Sequence, residues 1–390
     1  MLILHQHFNT PQSGGALRSY FLAKAAVEKN WRVDVVSGYS GKGYQISNME
    51  GIHVHSVPVL YSNYFGFWKR IWSFIGYVAW CIRLSQKFKQ VDVCYAISTP
   101  LTVGWAARWL KWRYSIPYIF EVGDLWPDAP IELDVITNPL LKKFLWSMEK
   151  KIYRGAKSVV ALSPAIQSAI EKKAPGVPIH MIPNMADTDF FQPEKKTAEL
   201  EKKFDVQGKL VVSYFGAMGF ANGLEYLLQA AHQCQQAQLP VHFLLAGDGV
   251  ERGNLERLAK SLELTNLSFQ KFQNRDGIRE LMHVTDIVFV CYRQAPILET
   301  GSPNKFFDGL AAGKMIMLNF SGWLHAEVEA AQCGVFVDPQ NSDTVKQQLE
   351  QLIKAGSITS HQLNSRKLAE IKFSLSTLTK RWVAIVSNQA

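Results

Sequence analysis

The chain has 390 residues, too many for one ordinary core and enough for two domains of roughly 190 residues each. Its 47% hydrophobic and 19% charged residues exclude a disordered or fibrous chain. The net charge of +9 is uneven, with 21 Lys+Arg against 13 Asp+Glu in residues 1–190 and 21 against 20 afterwards, and nine of eleven tryptophans lie at or before Trp146. Nucleic acid would account for the charge alone, whereas an anionic bilayer surface accounts for charge and indole together.

In chain order, Met1–His5 is a short apolar run that reads as a strand. No basic n-region and long apolar stretch open the chain, so no secretory signal is expected and the protein is expected in the cytoplasm. The loop Phe8–Gly15 and a helix over Ala16–Lys29 follow, then the β-branched run Arg32–Ser37. Further strands are expected at Val91–Ile97, Tyr118–Val122, Ser158–Leu162 and His180–Pro183, with helices near 101–112, 139–154 and 164–173 between them. This alternation predicts βαβ units and a parallel sheet. After a charged, irregular stretch near 187–206 the pattern restarts. Strands are expected at Leu210–Phe215, Val241–Ala246, Leu267–Phe269, Ile287–Cys291, Met315–Leu318 and Gly334–Val337. Helices are expected at Leu224–Ala237, Val250–Leu262, Ile278–His283, Lys305–Ala312 and Ser342–Lys354. A last apolar helix over Leu375–Val386 is placed to pack back on the first domain. The expected divisions are 1–190, 191–372 and 373–390. Five cysteines, an odd number without a CxxC, exclude a disulfide scaffold and a cysteine zinc site and favour a reducing compartment.

Residues 64–89 are rich in aromatic side chains. The uncharged run Ile71–Ile82 falls well short of the ~20 residues needed to span a bilayer. A buried or dimer-interface helix is one reading. The other is a helix lying in the membrane interface, with Trp68, Trp72 and Trp80 at the acyl boundary and Arg83 among the cations on phosphates. The clusters Trp105–Arg113 and Lys142–Trp146 repeat the mixture and favour peripheral attachment.

Three stretches offer chemistry. Gly14 and Gly15, between the first strand and first helix, let the backbone approach an anion at a helix N-terminus. Glu121 and Asp124 lie at the carboxyl end of a predicted strand, where open α/β sheets bind ligands. In Leu298–Lys314 (LETGSPNKFFDGLAAGK), Gly301, Ser302 and Pro303 shape a turn into a helix beginning at Asn304. Lys305 sits in its first turn, where a cation opposes the helix dipole unless an anion binds there. A diphosphate fits; Asp308, one turn on, is placed for ribose hydroxyls and Glu299 for sugar hydroxyls. No metal-ligand cluster is visible.

The glycine turn, the loop opening the second half (Gly216–Gly219), AGDG (Ala246–Gly249) and SPNKFFDGLAAGK together resemble a GT-B glycosyltransferase of the retaining family 4 type. DLWP and PNKFFDGLAAGK more narrowly resemble bacterial transferases that build O-antigen and capsule, including N-acetyl-L-fucosamine transferases. The resemblance implies two Rossmann-like domains facing across a cleft, with a C-terminal helix crossing back, and a hexosyltransferase-type activity. It implies a donor site of Gly14, Gly15, Arg18, Gly216, Gly247, Phe272, Gln273, Gly301–Lys305 and Asp308, with no metal cofactor. Of the family's two glutamates, the second matches Asp308 and the first falls on Thr300, beside Glu299. The Arg and Lys common in the loop opening the second domain are absent from Gly216–Gly223, leaving Lys305 as substitute and Arg18 as helper. Asp124 holds the position where many relatives carry a histidine. The expected reaction moves a sugar from a UDP-sugar to a polyprenyl-diphosphate-linked acceptor at the inner face of the plasma membrane. A sugar-nucleotide epimerase and an inactive nucleotide-sugar-binding partner of an assembly complex are the alternatives.

Overall fold

The computed structural model describes residues 1–62, 64–356 and 358–389. Almost wholly apolar strand runs separated by helices produce two parallel sheets covered on both faces. The first sheet comprises β1 (Leu2–Leu4), β2 (Val33–Tyr39), β3 (Gln45–Met49), β4 (Ile52–Pro58), β5 (Cys94–Ile97), β6 (Tyr118–Val122), β7 (Ser158–Ala161) and β8 (Ile179–Met181), in the order β3-β4-β2-β1-β5-β6-β7-β8. The second comprises β9 (Leu210–Phe215), β10 (Val241–Ala246), β11 (Leu267–Gln270), β12 (Ile287–Val290), β13 (Met315–Leu318) and β14 (Gly334–Phe336), in the order β11-β10-β9-β12-β13-β14. Among the described residues, only β3 is antiparallel to its neighbour. That hairpin escapes the pattern reading because β3 is polar and mostly exposed, while His53 and His55 interrupt the apolar run of β4. His55 is nonetheless buried, held by Asp34 at 3.0 Å.

Helices α1 (Arg18–Val27) and Leu375–Ser387 cover one face of the first sheet. Helices α2 (Phe67–Leu84), α3 (Val103–Tyr114), Pro139–Gly155 and Pro164–Lys173 cover the other. The two chain crossings between domains run side by side: Ala186 N–H donates to Phe373 O at 2.8 Å, and Leu375 N–H to Ala186 O at 2.9 Å. The returning helix fixes itself with Trp382, fully buried and edge-on to Tyr95 at 5.1 Å. Deleting so large a buried side chain leaves a cavity, so Trp382→Ala should lower stability by about 3–5 kcal/mol, read from chemical denaturation.

Helix α2 has two apolar stripes. Phe74, Tyr77, Cys81 and Leu84 face the core, and the Tyr77 hydroxyl donates to Val36 O at 2.7 Å. On the opposite side Trp68 is 72% exposed, Trp72 69% and Ile75 49%. Trp80 is half-buried beneath the Arg83 guanidinium, 5.1 Å from its ring. Exposed Trp112 on α3, and Leu140 and Phe144 on the next helix, carry the aromatic and apolar surface onward, among exposed Lys111, Arg113, Lys143, Lys150 and Lys151. Core packing therefore accounts for one stripe of α2 and leaves the other exposed. Among the described residues no helix is long and apolar enough to cross a membrane.

Candidate active site

The carboxyl ends of both sheets face one cleft, which holds a cavity of about 630 Å³. Its floor is built by glycines. β9 ends at Gly216 (φ 135°) and β10 at Gly247 (φ 152°), backbone angles that L side chains rarely adopt. A Cβ on Gly247 would lie 1.8 Å from Gly216 O, so the two loops touch only because no side chain separates them. Arg252 braces this floor, donating to Gly247 O at 2.7 Å and Gln270 O at 2.9 Å. Phe272 and Gln273, after β11, form the adjoining wall, with Phe272 exposed toward the cavity.

The helix Asn304–Ala311 turns Phe306, Phe307, Leu310 and Ala311 into the core and leaves Asn304, Lys305 and Asp308 on the cavity. Pro303 offers no capping side chain, and no acidic residue occupies the first turn. The Lys305 Nζ lies 3.8 Å from the centre of the Tyr214 ring and forms no ion pair among the described residues. Burial pushes its pKa down to about 7. Burial also pushes the Asp308 carboxyl up to about 7, a rise that nearby Asp187 supports and Arg275 opposes. Arg275 itself is paired with Asp187 and stacks on Phe190 at 3.8 Å.

From the first domain come Gly14 and Gly15. A Cβ on Gly14 would sit 3.2 Å from Phe272 Cζ, so this turn packs directly on the second domain. The N-terminus of α1 has no side-chain cap and no acidic first turn. Arg18 lines a small recess that shares Gly15, Gln273, Asn304 and Asp308 with the cavity. Its guanidinium is already engaged: Nε and Nη2 donate to the two oxygens of buried Glu121 at 2.9 Å, and Nη1 to Pro183 O at 2.6 Å. Tyr95 donates to the same carboxylate at 2.5 Å. Arg18 and Glu121 thus tie α1 to the sheet and to the crossing after β8.

The other sequence candidates lie around the cavity rather than on its lining. Thr300 O accepts from Ser163 Oγ at 2.6 Å, Gly301 O from Trp323 Nε1 at 2.8 Å, and Ser302 O from Asn184 Nδ2 at 2.5 Å. The turn Gly301–Pro303 is therefore docked between domains, upstream of the helix it introduces. Glu299 is half-buried in the preceding short turn, packed against Gly322. Asp124 is exposed after β6, where the surrounding protein pushes its carboxyl above the ordinary value; burial raises the Tyr292 phenol, and the Asp124 charge adds to that rise. Nearby Asp128 instead pairs with Lys173 and accepts from Trp146 Nε1 at 2.8 Å. Tyr64, ahead of α2, also lines the cavity, and no local pattern in the sequence marks it as doing so. Among the described residues no three His, Cys, Asp or Glu side chains converge as a metal site.

Comparison with known proteins matches residues 13–185 to the Glycosyl transferase 4-like domain and 195–368 to Glycosyl transferases group 1. The chain is a GT-B glycosyltransferase of the family 4 type. Over 356 residues this glycosyltransferase is 20% identical to alpha-D-kanosaminyltransferase of Streptomyces kanamyceticus, covering 86% of this chain and 88% of that one. Over 151 residues it is 26% identical to a glycosyl transferase of Escherichia coli (strain K12) assigned to colanic acid biosynthesis, covering 38% of this chain and 36% of that one. Its fold superposes on HepE of Anabaena, solved with UDP-glucose, with a TM-score of 0.73 at 18% identity, covering 99% of both.

Proposed function

We propose that this glycosyltransferase takes its sugar from a UDP-sugar and transfers it, with retention, to a polyprenyl-diphosphate-linked acceptor at the inner membrane face. The observation that carries the donor reading is Lys305, a cation without an ion pair among the described residues, in the first turn of a helix facing a 630 Å³ cavity. Lys305 and the free amides of its helix supply positive charge to the diphosphate as it departs. Asp308 accepts from the ribose, and the wall at Phe272–Gln273 receives the base. Asp124, at the end of β6, faces the anomeric carbon from the acceptor side and steadies positive charge there. The acceptor hydroxyl attacks the face that the leaving group vacates, and its proton goes to the departing phosphate. The exposed aromatic and cationic surface of α2 and α3 supports an acceptor held in lipid.

Free UDP should appear only when donor and lipid-linked acceptor are both present. N-acetyl-L-fucosamine is the first sugar to try. Interconversion of UDP-sugars without acceptor would instead establish an epimerase.

The two titrating groups also fix a pH dependence. A bound diphosphate favours the protonated Lys305 amine, so affinity should fall as pH rises above about 7. Ribose hydroxyls favour the ionised Asp308, so affinity should fall as pH drops below about 7. Calorimetry with UDP-glucose should therefore give a maximum near neutrality, with net proton uptake on the alkaline side and release on the acid side.

A further inference from the structure

Among the described residues, one that lines the cavity comes from neither the glycine turn nor the second domain. Tyr64 lies in the connection between β4 and α2, and its hydroxyl donates to Asp248 Oδ1 at 2.8 Å, bridging the two domains across the cavity. On the far side that oxygen belongs to a firmly held loop. It also accepts from Gly249 N–H at 2.8 Å, while Met218 N–H donates to Asp248 O at 2.9 Å. On the near side Tyr64 is tied to α2. Tyr64 N–H donates to Ser62 Oγ at 3.2 Å, Phe65 N–H to Ser62 O at 3.0 Å, and Arg70 Nε on α2 to Phe65 O at 2.9 Å. A shift of α2 therefore carries the turn, and with it the tyrosine, relative to Asp248. The same helix holds exposed Trp68 and Trp72 one and two turns further on.

We propose that Tyr64 is a positioning residue that closes the nucleotide-sugar pocket when α2 lies on an anionic membrane, so that membrane docking and donor binding strengthen each other. The inference rests on the membrane reading of α2 given above. With the bond to Asp248 formed, the phenol ring walls the cavity between the domains. Donor entry and product release require that bond to open. Holding α2 at a lipid surface fixes the closed arrangement and confines enzyme with bound donor to the place where its acceptor resides. Linkage demands that the two effects be equal: vesicles tighten nucleotide binding by the factor by which nucleotide tightens vesicle binding.

The test measures UDP affinity with and without phosphatidylglycerol-containing vesicles, and vesicle affinity with and without UDP. The expected result is a gain of about fivefold in each, at the low end of measured couplings. Tyr64→Phe removes the hydroxyl from an exposed position, and Asp248→Asn weakens its acceptor. Each variant should still sediment with the vesicles yet lose the mutual gain. Wild-type protein that binds vesicles without any change in UDP affinity would overturn the gate and leave the membrane reading standing, as would a Tyr64→Phe variant with the full gain. Wild-type protein that ignores anionic vesicles would overturn both.

Discussion

Replacing Lys305 by methionine is expected to weaken UDP-sugar binding about a hundredfold, the loss of one strong charge-assisted contact in a desolvated site. Methionine keeps the length of the stem and removes only the ammonium that rests over the Tyr214 ring, so the change isolates the charge. The same substitution should stabilise the unliganded protein. Burial pushes the amine down to about 7, below its ordinary value, so the folded state carries a cost wherever that amine is charged. The cost is fully present below about pH 7 and fades as pH climbs toward the ordinary lysine range. Lys305→Met should therefore unfold about 2 °C or more above wild type at pH 6, and this advantage should shrink at pH 9. A residue that only braced the helix would lose stability along with binding, so the opposite signs separate the two roles.

Replacing both Trp68 and Trp72 by serine is expected to release the protein from anionic vesicles, with affinity falling at least tenfold. A large apolar side chain withdrawn from water contributes about 1.5–3 kcal/mol, and two are removed. Both side chains are mostly exposed, so the unfolding midpoint should barely move. Raised salt should weaken the wild-type interaction further, because exposed cations on α3 and the helix after it contribute through screened charge. Sedimentation with vesicles at two ionic strengths reads both effects. If the double variant binds as wild type does, the membrane role of α2 is overturned.

The parallel sheets were legible because their strands are short apolar runs punctuated by glycine or charge, as at Leu210–Phe215 before Gly216. Where a strand is polar and exposed, as β3 is, alternation carries no signal. The helices Trp323–Ala331 and Ile358–Leu368 also escaped, the first beginning at Gly322 without a capping side chain and the second burying little beyond Ser365. Lys305 stood out because a cation at the start of a helix contradicts the local electrostatics, an imbalance visible in a dozen residues. Arg18 reads in sequence as a basic side chain beside a glycine turn. Its bidentate pairing with Glu121 joins residues 103 positions apart and emerges only when α1 packs against the carboxyl end of β6. Tyr64 is further still from any local rule, since its partner lies 184 positions away in the other domain. Aromatic residues ahead of an aromatic helix look alike until folding places one of them over a cavity.

The placement of the diphosphate is best tested by a crystal structure of the protein with UDP bound. The β-phosphate should lie at the start of the helix Asn304–Ala311, with an oxygen about 3 Å from Lys305 Nζ and the ribose against Asp308. A diphosphate held elsewhere, with the amine still resting on the Tyr214 ring, would contradict it.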